Sequence, residues 1–267
     1  MNDKPIIPIS VIIPCYRSGQ TIRRAIDSVR SQTYLPAQTI LVDDASGDDS
    51  LTLLYELQRD YPELNIHVDA LAVNSGPGTA RNRAWELATQ AWLAFLDADD
   101  AWHPHKLEIQ WDWISAHPQA VLVGALTAEI QSLDHIVKIA VPQTVKANKI
   151  SFTQMLIANR FYTRTVVLKK DLPFRFADRS YTEDYLLWLE IILAGLDAYV
   201  INQTLGLSFR PEFSSTGYSA QLWRHEKREL RAWYFLYQTK KISLWILMFA
   251  IPWSYFKYLR RVIQRAA

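Results

Sequence analysis

Acidic residues gather at three points of the 267-residue sequence, each where a chemical task could use them. Asp97, Asp99 and Asp100 follow the apolar run WLAFL at 92–96. Three carboxylates within four residues repel one another and are costly to bury unpaired. A hard divalent cation with oxygen ligands is their natural counter-charge. The alternative is a polar loop whose acids cap a helix beginning near Pro104. Asp43 and Asp44 close a second apolar run, and Glu183 and Asp184 open a pattern of helical spacing. Arg81 and Arg83 lie just after the Gly-rich loop Asn74-Ser75-Gly76-Pro77-Gly78, a setting in which cations meet phosphate oxygens. A metal, phosphate-binding cations and a spare carboxylate are the parts that group transfer from a nucleotide diphosphate needs. The metal neutralises the leaving group, and the carboxylate takes a proton from the attacking hydroxyl.

For these groups to meet, strands must deliver them to a common edge. The β-branched apolar run at 8–15 reads as a buried first strand. Ile22, Ala25, Ile26 and Val29 recur at helical spacing, which predicts a helix over 21–32. A strand at 39–42, a helix at 50–61, a strand at 65–68, a helix at 79–89 and a strand at 92–96 complete four strand–helix alternations. That pattern predicts a mostly parallel, Rossmann-like sheet flanked by helices on both faces. In such sheets ligands bind outside the carboxyl ends of the strands, which is where Asp43, Asp44 and Asp97 would lie. Further on, helices are expected at 106–116 and 150–159, strands at 120–126, 163–168 and 198–201, and a helix from the 181–184 segment through Leu193. The lone Cys15 excludes an internal disulfide and reads as a small buried residue. His103 and His105 flank a proline and are expected at the surface. The first strand is followed by YRSGQT rather than GxGxxG, and no GxxxxGK[ST] occurs, which argues against a dinucleotide-dependent reductase and a P-loop kinase.

Five stretches, SVIIPCYRSG, LVDDASGDDS, NSGPGTARNRAW, AFLDADDAW and TEDYLLWLEI, stand in one order over about residues 8–210. Together they resemble glycosyltransferase family 2, the inverting, nucleotide-sugar-dependent enzymes of GT-A fold, and in particular those of bacterial surface-polysaccharide assembly. The resemblance implies that Pro14 and Tyr16 line the nucleotide pocket, with Tyr16 stacked on the base. It implies that Asp44, with Asp43 the second choice, accepts a hydrogen bond from that base, usually uracil. Arg81 would approach the nucleotide or its phosphates, and Asp97 would hold ribose or sugar hydroxyls. Asp99 would ligate Mn2+ or Mg2+, Asp184 would be the general base and Glu183 would orient it. Two departures stand out: Ala45 replaces the usual Gly of the DDGS-type turn, and SFRPEFS at 208–214 lacks the His of an Arg-x-His-xx-Ser segment, though Arg210 remains. QLWRH at 221–225 resembles the QxxRW of processive synthases, but their several membrane spans are missing, which favours addition of a single sugar.

The formal charge of +2 is unevenly spread. From Trp223 onward ten Lys or Arg stand against two Glu, a net of +8, and the rest carries 19 basic and 25 acidic residues, a net of −6. A basic end on an acidic body suggests an anionic surface partner, and no nucleic-acid partner is expected. The apolar segment at 242–256 is shorter than the roughly 20 residues a spanning helix needs, and Pro252 interrupts it. Flanking Lys and Arg with Trp245, Trp253, Tyr255 and Tyr258 fit a shallow helix at a membrane interface; a helix packed on the domain is the alternative. The expected organisation is a catalytic domain at 1–220 and a basic, aromatic helical tail at 221–267. The sequence shows no signal peptide, so the expected location is cytoplasmic, peripheral to the inner face of the plasma membrane. A polyprenyl-diphosphate-linked saccharide is the expected acceptor and a UDP-sugar the expected donor. The competing readings are a soluble or protein acceptor, and an inactive nucleotide-sugar-binding module.

Overall fold

Strand β1 (Ile6–Cys15) shows why the first half folds as it does. Successive side chains of a strand point to opposite faces. Val11 and Ile13 enter one apolar layer with Ile22, Ala25, Ile26 and Val29 of helix α1 (Ile22–Arg30). Ile12 enters the other, with Ala80, Ala84 and Trp85 of helix α3 (Pro77–Leu87). A strand apolar on both faces is thus covered by helices on both sides. The computed structural model describes residues 4–131, 145–209 and 222–266.

The remaining elements are β2 (Leu35–Asp43), α2 (Ser50–Asp60), β3 (Ile66–Ala70), β4 (Trp92–Phe95), β5 (Ala101–Trp102), α4 (Lys106–Ala116), β6 (Ala120–Glu129) and β7 (Ala147–Lys149). They are followed by α5 (Phe152–Ile157), β8 (Val167–Lys169), α6 (Glu183–Leu193), β9 (Asp197–Ser208), α7 (Leu222–Gln238) and α8 (Leu244–Ala266). The strands form one sheet in the order β3-β2-β1-β4-β8-β6-β9-β5, with β7 on β9. The pairs β1–β2, β1–β4, β2–β3 and β6–β9 are parallel. The pairs β4–β8, β6–β8, β5–β9 and β7–β9 are antiparallel. The sheet is therefore mixed, where a mostly parallel one was expected. The reversal comes from β8, a three-residue strand entered from a 3-10 turn rather than a helical crossover, and so running against both neighbours. An apolar run has no direction, so periodicity could not reveal this.

The C-terminal segment also differs from the expected single helix at 242–256. Helices α7 and α8 pack on each other, and Ala232, Trp233, Leu236, Leu247 and Ala250 join the same apolar layer as α3 and α6. Helix α8 runs through Pro252, and its outer side exposes Trp245, Met248, Phe249, Phe256 and Ile263. Among the described residues no helix is long and apolar enough to cross a membrane. The expected boundary at 220/221, Arg210 and Gln221 lie outside the described residues.

Candidate active site

The parallel register of β1, β2 and β4 sets the site's floor. Cys15 pairs with Asp43, and Ile12 with Phe95, so Tyr16, Asp44 and Asp97 emerge at one edge of the sheet. Pro14 is half-buried there and Tyr16 is 48% exposed, with the Arg17 guanidinium 5.3 Å from its ring centre. Burial pushes the Cys15 thiol up to about 12, which leaves it an inert core residue.

The two acids after β2 have different partners. The Asp43 carboxylate accepts from the Ser46 backbone N–H at 3.0 Å and from its hydroxyl, and closes the turn. Ala45 in this turn has φ +52°, in the left-handed region. That region is where glycine costs least, which is why a glycine is usual there. Asp44 accepts from Ser75 N–H at 2.7 Å, Gly76 N–H at 2.8 Å and Asn74 Nδ2 at 3.0 Å, and so pins the Gly-rich loop to the end of β2. Both carboxylates are buried, and each oxygen can accept more than one bond.

Arg81 joins the second and third acidic clusters. The Gly-rich loop ends with Gly76 at φ +94°, and Pro77 then opens α3 at a position where its missing N–H is no loss. One turn later Arg81 places Nη2 2.6 Å from Asp97 Oδ1 and Nη1 3.5 Å from Glu183 Oε1. Burial pulls against the guanidinium's charge, but Asp97 and Glu183 outweigh it and hold the group above its ordinary range. Arg83 faces elsewhere, paired with Asp69 at 2.5 Å.

The three aspartates after β4 diverge. Asp97 meets Arg81. Asp99 is half-buried, and its backbone carbonyl accepts from Arg24 Nη2 at 2.5 Å. Asp100 is buried against Arg164, Oδ2 to Nε 2.6 Å. Its burial pushes the carboxyl up to about 7 against the pull of Arg164, and Asp97 and Asp99 add repulsion. Neither Asp99 nor Asp100 caps a helix, since α4 begins at Lys106 with His105 before it. His105 pairs with Glu108 at 2.7 Å, whereas His103 is buried and not at the surface as expected, because its backbone is tied between Gln32, which donates to its carbonyl at 2.8 Å, and the Leu205 carbonyl, which its N–H reaches at 3.0 Å.

Glu183 and Asp184 open α6 behind Thr182, which makes no side-chain cap. Glu183 is buried; its carboxyl is pushed up to about 7 by burial and by Asp184, with Arg81 pulling it back. Asp184 is half-buried, Oδ1 accepting from Tyr185 N–H at 2.7 Å and Oδ2 from the Thr163 hydroxyl at 2.9 Å. Of the expected residues, Asp97, Arg81 and Glu183 touch, Asp184 adjoins them, and Pro14, Tyr16, Asp43 and Asp44 line the adjoining edge. Thr163 and Arg164, which touch Asp184 and Asp100, were not expected among these acids, and the counter-charge beside Asp100 is Arg164. Thr163 and Arg164 lie in a segment that reads as part of a strand and give no local signal.

The description "Glycosyl transferase family 2" fits residues 10–178 of the sequence. The chain belongs to glycosyl transferase family 2. It is 33% identical over 187 residues, 69% of each chain, to Escherichia coli WfgD, named a UDP-Glc:alpha-D-GlcNAc-diphosphoundecaprenol beta-1,3-glucosyltransferase. It is 25% identical over 267 residues to Bacillus subtilis TuaG, named for teichuronic acid biosynthesis, covering 99% of this chain and 98% of that one. The crystal structure of S. aureus TarS 1-349 in complex with UDP-GlcNAc matches with a TM-score of 0.63 and 22% identity, over 79% of this chain. This chain covers 62% of that one. The mannosyltransferase PcManGT from Pyrobaculum calidifontis, in complex with GDP-Man and Mn2+, matches with a TM-score of 0.67 and 17% identity, over 96% of this chain and 75% of that one. These likenesses make the fold of this family 2 glycosyltransferase GT-A-like. Among its described residues no group of three or more His, Cys, Asp or Glu side chains could cage a metal ion. The acids fit the other arrangement, in which one or two carboxylates share a hard cation with substrate phosphates.

Proposed function

We propose that this glycosyltransferase moves one sugar, with inversion, from a UDP-sugar to a hydroxyl of a polyprenyl-diphosphate-linked saccharide in bacterial surface-polysaccharide assembly. The observation that carries the reading is the Arg81 bridge, which joins Asp97 to Glu183, the neighbour of Asp184, in one cluster. Tyr16 stacks on the base, Pro14 walls the pocket, and Asp44 or Asp43 uses remaining acceptor capacity on the nucleobase. Asp97 holds ribose or sugar hydroxyls. Asp99 holds Mn2+ or Mg2+, which when bound neutralises the departing diphosphate. Asp184 takes the proton as the acceptor oxygen attacks the anomeric carbon and the bond to the diphosphate breaks on the opposite face. Glu183, sealed beneath Arg81, has no open face and orients rather than abstracts.

The names of WfgD and of the UDP-GlcNAc-bound TarS support the donor and the lipid-linked acceptor, and the Mn2+ of PcManGT supports the metal. Residues 1–220 form the catalytic part and 221–267 a tail whose exposed α8 face rests on the inner leaflet, which makes the enzyme peripheral and cytoplasmic. The test is a panel of UDP- and GDP-sugars offered with a GlcNAc-diphosphoundecaprenol acceptor, in Mn2+ or EDTA. Product formation from a UDP-sugar, absent in EDTA and reduced at least about 1,000-fold in Asp184→Asn, is expected. Transfer to a soluble acceptor alone would overturn the lipid-linked part. Donor binding without any turnover would mark a binding module instead.

A further inference from the structure

We propose that the 3-10 turn Thr163–Thr165 is a positioning device for sugar transfer, with Thr163 aiming Asp184 while Arg164 fixes Asp100 from the same rigid piece of backbone. The inference rests on Asp184 being the general base.

Three successive side chains of this turn have three tasks. Thr163, buried, donates its hydroxyl to Asp184 Oδ2 at 2.9 Å. Arg164 turns the other way, with Nε 2.6 Å from Asp100 Oδ2 and Nη1 donating to the Thr127 hydroxyl at 3.3 Å. Thr165, fully buried, ties the turn to β6: its hydroxyl donates to the Ala125 carbonyl at 3.1 Å and accepts from the Ala125 N–H at 3.0 Å. The backbone is held as firmly. Trp102 Nε1 donates to the Arg164 carbonyl at 2.6 Å, and Gln110 Nε2 donates to the Thr165 carbonyl at 2.9 Å.

The sheet makes room for this turn. A Cβ on Gly206 of β9 would stand 2.5 Å from Thr165 Cγ2 and 3.2 Å from Arg164 Cγ. One on Gly124 of β6 would stand 2.8 Å from Phe161 Cδ1. A glycine inside a strand weakens it unless another group must approach closely, and here the approaching group is the turn and its lead-in. The acids come from opposite sides of the sequence, Asp100 after β4 and Asp184 in α6, and the turn gives both a common reference. A carboxylate held at one oxygen by the Tyr185 N–H and at the other by the Thr163 hydroxyl keeps its remaining lone pairs on a fixed bearing toward an incoming hydroxyl. A misplacement of about 1 Å at a reacting group costs on the order of 100-fold in rate.

The test uses Thr163→Val, which keeps shape and removes the hydroxyl, Thr163→Ser, which restores it, and Asp184→Asn. For the donor and acceptor pair found by the panel above, kcat and KM are measured with the melting temperature. Thr163→Val should lower kcat by about 10- to 100-fold with KM changed less than about 3-fold, and Thr163→Ser should recover most of kcat. If Thr163→Val does not fold, Thr163→Ala serves as the hydroxyl-free variant. Full kcat in the hydroxyl-free variant alongside a dead Asp184→Asn overturns the positioning role and leaves the base assignment standing. Equal losses in the Val and Ser variants, tracking melting temperature, mark a purely structural turn and also overturn it. An active Asp184→Asn, or no turnover with any pair, sinks the base reading and this inference with it.

Discussion

Arg81 carries more of the site than any other single side chain, because it is buried with a carboxylate on each side of its fork. A guanidinium suits this place, since its planar donors can meet two acids at once and it does not lose its proton. Its charge does not fully settle Glu183, whose carboxyl burial still pushes up to about 7. That shift has a thermodynamic sign. A carboxyl whose folded pKa lies above its unfolded value binds its proton more tightly in the folded protein. Stability therefore falls as pH rises from the unfolded value, near 4.5, through about 7, and is flat beyond. Glu183→Gln has no such proton to lose. We expect the unfolding free energy of the wild type to fall relative to Glu183→Gln between pH 5 and pH 8, by about 3 kcal/mol at most, read from denaturation curves of both proteins across that range. Parallel pH profiles of the two would show that Glu183 ionises in the fold without cost. The same residues were legible in the sequence because their types are informative in themselves. Consecutive acids after an apolar run demand a counter-charge, and Arg81 stands at the start of a helix behind glycines. Thr163 could not be read that way, since a threonine in a β-branched stretch is ordinary.

Elements rather than residues decide how close these groups come. Helix α3 and the start of α6 approach each other at Gly78, where a Cβ would lie 2.6 Å from the Ala177 carbonyl oxygen and 3.0 Å from Glu183 Cγ. The first obstacle is backbone, which cannot rotate aside. Gly78→Ala should therefore cost about 1–3 kcal/mol of stability and reduce transfer more than its melting curve alone accounts for, because the same methyl displaces Glu183 from Arg81. Unchanged kcat in a measurably destabilised Gly78→Ala protein would separate packing here from catalysis. The contact also explains why elements were unequally legible. Helix α1 was read closely from apolar spacing, α2 and α4 lie within a residue of their expected ranges, and α6 was expected from the acidic 181–184 segment through Leu193. Strand β9 was read as four residues and runs over twelve, Asp197–Ser208, because its extra length is supported by pairing with β5, β6 and β7 rather than by its own pattern. The two-residue β5 is likewise a product of its partner.

At the scale of the whole molecule, the asymmetry of charge is partly spent inside the fold. Lys241 pairs with Glu190 at 2.5 Å, Lys257 with Glu229 at 2.5 Å, and Arg261 lies 4.0 Å from Glu229. Exposed Lys240 and Arg260 remain beside the apolar outer face of α8. A cation near an anionic leaflet contributes roughly 1 kcal/mol, so in the proposed docking charge alone would bind weakly and the aromatic face would have to add to it. Removing the tail would be a poor test, because Ile242, Leu247 and Ala250 belong to the core and their loss would open it. Substituting its outer residues is cleaner: Trp245, Phe249 and Phe256 are 79%, 50% and 57% exposed. We expect the full chain to sediment with phosphatidylglycerol-containing vesicles far more than with phosphatidylcholine alone, and less as salt rises, since screening shortens the reach of exposed charges. The triple variant Trp245→Ser, Phe249→Ser, Phe256→Ser should lose most of that binding while keeping its melting temperature and its turnover on detergent-dispersed acceptor. Undiminished sedimentation of the folded triple variant would remove α8 as the contact and leave the cations of α7 to account for it.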